Sequence, residues 1–165
     1  MECLCANPRN PQKCENCSAP VCKKCAHFLQ SESFAFSDKV EKHLRHARYC
    51  VECFESIVQP ALTKYDETMS AAKEVYFIPI TYRGSVNVLQ KHKEEVTVKD
   101  CIDRRETIMR LAFKAVELGY NSLVQGEVNR EQVRNHAYQS SLWHGKGLPV
   151  NLDIERMERH EFNNL

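Results

Sequence analysis

The chain has 165 residues, a formal net charge of +1 and nine cysteines. That length allows one ordinary domain or two small ones. Residues 1–55 carry eight Lys/Arg against seven Asp/Glu, so no basic patch points to nucleic acid, and attraction to anionic lipid is weak. There is no apolar leader segment and no apolar run of membrane-spanning length, which excludes a signal peptide and a transmembrane helix and predicts a cytoplasmic protein.

Eight of the nine cysteines fall within the first 53 residues, so composition divides the chain. Cys14/Cys17 and Cys22/Cys25 are two C-x2-C knuckles only four residues apart. Each knuckle can supply half the ligands of a zinc ion, and the short spacer suits service to two different ions. Partner pairs lie upstream at Cys3/Cys5 and downstream at Cys50/Cys53. The spacing predicts a cross-brace with two zinc ions per chain: Cys3, Cys5, Cys22 and Cys25 on one, Cys14, Cys17, Cys50 and Cys53 on the other. Without a secretory signal, thiolates on metal are the better reading than disulfides. All-thiolate sites leave no position for water, so the zinc is structural and no catalytic residue is assigned.

In chain order, residues 1–13 (with Pro8 and Pro11) read as a loop. Ser37-Asp38 followed by Val40, Leu44 and Ala47 predicts a helix over about 38–48 that packs Leu44 on the metal core. His27, His43 and His46 read as surface residues, since eight thiolates already close two sites. Ile57/Val58, Leu62, Tyr65, Met69 and Ala72 form an apolar stripe, predicting a linker helix over 58–73 that Pro60 either starts or kinks. Residues 75–82 predict a strand that Pro79 confines to an edge. Short strands follow at 86–89 and 95–99.

Asp103 with Glu106 marks the N-terminus of a helix over 104–118, closed by Gly119. Residues 121–128 read as a strand, 129–132 as a turn and 138–143 as the return strand of a hairpin. Residues 145–150 read as a bent strand end, and Asp153 caps a final helix through about 160. The order β-(β)-β-α-β-β-α predicts an α+β sheet-and-helix sandwich. The predicted segments are 1–56 for the finger, 57–73 for the linker helix, 74–152 for the α+β domain, and 153–165 for a short helix and tail.

The knuckle spacing, with Val21-Cys-Lys-Lys-Cys25 and Tyr49-Cys-Val-Glu-Cys-Phe54, resembles a FYVE-type zinc finger, closest to the rabphilin-like FYVE-related variants that bind proteins. The first pair departs from that pattern, being C-x-C. Asn10-Pro-Gln-Lys13 also stands where lipid-binding members carry a basic run, so phosphoinositide binding, with Lys23 and Lys24 as the remaining cations, is the less favoured alternative. Residues 111–125, Leu-Ala-Phe-Lys-Ala-Val-Glu-Leu-Gly-Tyr-Asn-Ser-Leu-Val-Gln, and Trp143-His-Gly-Lys-Gly-Leu-Pro-Val150 are similar to the YbjQ-like family. That resemblance implies a small α+β domain that oligomerises, labelled heavy-metal-binding without an established chemistry.

The expected function is a non-enzymatic zinc-binding interaction module with a protein partner and self-association through a strand edge. Cys101 stands just ahead of a helix N-terminus, where a thiol can be activated. Asp100 and Asp103 oppose that, and a small buried apolar residue is the plainer reading. A metal sensor or a Cys101-centred thiol activity is the enzyme-class alternative. His136, Tyr138, Trp143 and His144 cluster on the hairpin, where aromatic residues more often pack than catalyse.

Overall fold

The computed structural model describes residues 12–135 and 138–156. The chain divides into two compact units, residues 1–67 and 68–165. The architecture is α+β, as the element order predicts.

In the first unit, β1 (Gln12–Lys13) pairs antiparallel with β2 (Pro20–Val21), and β3 (His27–Phe28) pairs antiparallel with β4 (Arg48–Tyr49). The predicted helix over 38–48 is not formed. A single 3-10 turn at Lys42–Leu44 stands there instead. The reason is competition for the backbone groups just beyond it. The Ala47 carbonyl accepts the Leu29 N–H, and the Ala47 N–H is taken by the Glu15 carboxylate. A helix would pair the Ala47 N–H with the His43 carbonyl, but Glu15 takes that N–H and the Tyr49 hydroxyl donates to that carbonyl. Leu44 nonetheless packs on the core, as predicted, beside Cys14, Val21, Tyr49, Cys53 and Val58.

Helical structure starts earlier than the apolar stripe implies. The first turn, α1 (Val51–Cys53), is capped by the Cys50 sulfur, which accepts the Cys53 N–H at 3.4 Å. A π-helical turn follows at Phe54–Val58, and α2 (Gln59–Lys73) continues it. The Gln59 N–H reaches the Phe54 carbonyl. This wider turn directly precedes Pro60, whose ring has no N–H to continue the ladder, so the register change falls where the helix is already interrupted. Val58 and Ala72 of the stripe are buried.

The second unit is a mixed five-stranded sheet with a helix against it. Its elements are β5 (Tyr76–Pro79), β6 (Val88–Lys91), β7 (Val96–Cys101), α3 (Arg104–Glu117), β8 (Ser122–Asn135) and β9 (Tyr138–Leu152). β5 lies parallel to β8 at one edge, where Pro79 is tolerated. β8 and β9 are antiparallel partners, and β6 and β7 pair in turn along the other side of β9. The His92 N–H donates to the Pro149 carbonyl at 2.9 Å between them, so β6 and β7 act as one interrupted strand.

The turn predicted at 129–132 is not formed. Those residues lie inside β8, paired with Ser141 to His144 of β9. Their polar composition reads as turn-like, but cross-strand partners satisfy it. Arg130 donates to the Ser141 hydroxyl, and Gln139 donates to Gln132. The segment 145–150 is likewise continuous strand rather than a bent end.

α3 matches its sequence signals closely. Asp103 accepts the Glu106 N–H at 2.7 Å, Glu106 accepts the Ile102 N–H at 2.7 Å, and Gly119 takes φ +85°. Leu111 and Ala115 bury against Val98, Cys101 and Leu123. Residues 154–156 are helical, with Asp153 accepting the Arg156 N–H at 3.2 Å. The remainder of the predicted C-terminal helix lies outside the described residues. Among the described residues no helix is long and apolar enough to cross a membrane.

Candidate metal centre

The centre is assembled by two turns from opposite ends of the first unit. The β1–β2 hairpin presents Cys14 and Cys17. Its tight return closes with Ser18 N–H to Cys14 C=O and Cys14 N–H to Ala19 C=O, both 2.9 Å, and with Ser18 at φ +65°. β4 delivers Cys50, and the helical turn after it delivers Cys53. The sulfurs of Cys14, Cys17, Cys50 and Cys53 all lie within 4.8 Å of one another.

The fit to a metal can be tested on geometry. A tetrahedral ion with sulfur ligands at about 2.3 Å needs sulfurs about 3.8 Å apart. Cys17 Sγ and Cys50 Sγ are 3.7 Å apart, far beyond a disulfide and close to a tetrahedral edge. The donor set fits a thiophilic divalent cation.

The electrostatics agree with that fit. Burial pushes the Cys14 thiol up, but donation from the backbone N–H groups of Cys17, Cys50 and Asn16 outweighs it and brings the pKa down to about 6. Burial pushes Cys53 up to about 12 despite the Asn16 amide, which donates at 3.4 Å, with the neighbouring Cys50 and Cys17 sulfurs adding to the rise. Cys17 accepts the Ala19 N–H, which favours its thiolate, yet desolvation and the neighbouring Cys14 sulfur hold its pKa above the ordinary value. Four crowded sulfurs resist sharing several negative charges unless a cation stands among them.

The supporting shell includes residues that carry no metal-binding signature. Glu15 accepts from Ala47 N–H and from Arg48 Nη2, and these bonds hold its carboxyl below the usual range. Tyr49 is fully buried, donates to the His43 carbonyl at 2.7 Å and accepts the His46 N–H at 3.2 Å. Only proximity in sequence to Cys14 and Cys50 marks them, and many unrelated residues share that property.

Cys22 and Cys25 form the second knuckle, with the Cys25 and Ala26 N–H groups donating to the Cys22 carbonyl. Cys3 and Cys5 lie outside the described residues. The structure therefore shows one four-cysteine cluster plus the Cys22/Cys25 pair, and Cys14, Cys17, Cys50 and Cys53 are the one group of three or more metal-ligating side chains among the described residues. His27 stacks on Phe54 at 4.4 Å, and His43 faces Glu41.

Cys101 is 1% exposed and packs among Val98, Leu111, Ala115 and Leu123, as a small apolar residue does. His144 accepts the Asp100 N–H at Nδ1 and meets Glu131 at 2.8 Å through Nε2. Trp143 packs on the core. His136 and the Tyr138 side chain lie outside the described residues.

No protein-family model matches the sequence, and no curated protein is similar to it. The C-terminal part of the chain is similar to a solved structure from Pediococcus pentosaceus, described as a protein of unknown function belonging to the DUF74 family. That match covers 48% of this chain and 98% of the other, at 15% identity and a TM-score of 0.33, values that assign neither membership nor activity.

Proposed function

We propose that the first unit is a structural zinc finger of the FYVE-related kind and that the protein is a non-enzymatic, cytosolic interaction module. The observation that carries the reading is the convergence of four thiols from two sequence-distant pairs to within 4.8 Å of one another. Cys14, Cys17, Cys50 and Cys53 hold one zinc. Cys22 and Cys25 hold a second together with Cys3 and Cys5. A small unit with a core this limited gains folding free energy directly from a bound ion. The second unit, YbjQ-like in its helix-and-strand sequence, self-associates through a strand edge and so displays several fingers to a protein partner.

Native mass spectrometry of untagged protein purified without added metal counts ions and chains together. Two zinc ions per chain in a defined oligomer is the expected result. One zinc removes Cys3 and Cys5 from the ligand set. A chain that carries no zinc, and whose circular dichroism is unchanged in Cys14→Ser, sinks the finger reading.

A further inference from the structure

We propose that the Cys17–Cys50 sulfur pair is a thiol-oxidation site, at which a hydroperoxide oxidises Cys17 and the product closes as a disulfide with Cys50. This rests on the zinc reading of the cluster and adds a chemistry to it.

The four sulfurs are not equivalent. Cys14 and Cys53 are 1% and 8% exposed, packed with Val21, Tyr49 and Val58. Cys17 is exposed at the hairpin tip, and Cys50 is half-buried at the helix start. The two outward sulfurs are also close neighbours, at 3.7 Å. They come from different knuckles and so lie 33 positions apart in sequence. Closing the bond requires an approach of about 1.7 Å from the observed separation to the S–S length. An oxidant arriving from solvent thus meets Cys17 first and finds its resolving partner already beside it, the arrangement that favours a disulfide over further oxidation.

The step balances without a further reagent. The Cys17 thiolate attacks one peroxide oxygen, the O–O bond breaks, and the other oxygen leaves with a proton as alcohol, or as water from hydrogen peroxide. Cys17 is then a sulfenic acid. The Cys50 thiolate attacks that sulfur, the S–S bond forms, the S–O bond breaks, and hydroxide leaves as water after taking a proton. Two thiolates lose two electrons, the peroxide gains them, and two protons are consumed. Only Cys14 and Cys53 remain as donors, too few for a closed tetrahedral site. A dithiol reductant restores the pair.

The test uses the full-length, zinc-loaded protein and hydrogen peroxide. Zinc release is followed with a chromogenic chelator while alkylated peptides are mapped by tandem mass spectrometry. Expected are a Cys17–Cys50 linkage as the first disulfide, loss of one zinc in step with it, and recovery of both with dithiothreitol and added zinc. Cys17→His keeps a four-donor set and should slow release at least about tenfold.

A first linkage inside one knuckle (Cys14–Cys17 or Cys50–Cys53), a Cys17 sulfinic acid with Cys50 unlinked, or unchanged release from Cys17→His overturns the proposal. The map of the unsubstituted protein decides even if Cys17→His does not fold. A protein found to carry no zinc overturns the finger reading instead. In that case a peroxide-driven Cys17–Cys50 link still supports the oxidation site, and its absence overturns that as well.

Discussion

Glu15 grips Arg48 at 3.1 Å while accepting the adjacent Ala47 N–H at 2.9 Å. The residue after Cys14 thereby holds the segment that ends in Cys50, and the two halves of the cluster are tied by groups other than the four sulfurs. Both side chains are partly exposed, at 35% and 26%, so solvent screening limits the pair. Glu15→Gln should cost about 1 kcal/mol. In a chelator competition that corresponds to roughly fivefold weaker zinc retention if the finger folds only around its metal. Retention equal to the unsubstituted protein would show that the tie is ornamental to binding.

Tyr49→Phe should lower stability by about 1–2 kcal/mol, because it leaves the His43 carbonyl and the His46 N–H without the hydroxyl that serves both. Urea unfolding of the zinc-loaded protein should show a lower midpoint at unchanged slope, with the zinc count unaltered. A midpoint that does not move means that water replaces the hydroxyl at no cost.

Gly145→Ala should destabilise the second unit by about 1–3 kcal/mol. An added Cβ would stand 2.6 Å from Thr107 Cγ2 and 2.9 Å from Leu111 Cδ1, both on the buried face of α3. Thermal unfolding of the second unit is the measurement, with zinc content as the internal control. If the melting temperature is unchanged, α3 packs less tightly on β9 than these distances state.

Asn121 serves as a short extra piece of strand. Its Oδ1 accepts the Leu152 N–H at 2.9 Å and its Nδ2 donates to the Leu152 carbonyl at 3.1 Å. Asn121→Ala should cost about 2–3 kcal/mol, since Leu152 is buried and both of its backbone groups lose a partner. Asn121→Asp keeps the acceptor for the Leu152 N–H but turns a carboxylate oxygen toward the Leu152 carbonyl, so its cost should be no smaller. Equal hydrogen-exchange protection of Leu152 in all three proteins would contradict this.

Signals carried by local chemistry were legible in the sequence. Cysteine spacing brought Cys14/Cys17 and Cys50/Cys53 to one point, and Asp103, Glu106 and Gly119 bounded α3 to within one residue. What could not be read were outcomes decided by distant partners. The 38–48 stretch has helical periodicity, but Glu15 claims the Ala47 N–H and Tyr49 the His43 carbonyl that a helix would pair with it. Asn129 to Gln132 have turn-like composition, but the long return strand supplies their pairing. The early helix start at Val51 depends on a cysteine sulfur acting as a cap, a role that its ligand spacing conceals.

That cap ties the cluster to helix initiation. Starting a helix is penalised by a factor of roughly 1000, because several residues must be fixed before the first bond forms. With Cys50 and Cys53 held on a common ion, the opening turn is fixed before the rest of the helix exists, and the run through Val58 and α2 to Lys73 needs only to propagate. A metal bound there would therefore act as a nucleation template for some twenty residues beyond its own ligands. Stripping the ion should make this helix fray from its Cys50 end, with the opening turn at Val51–Cys53 the first to give way and the π-helical turn ahead of Pro60 the next.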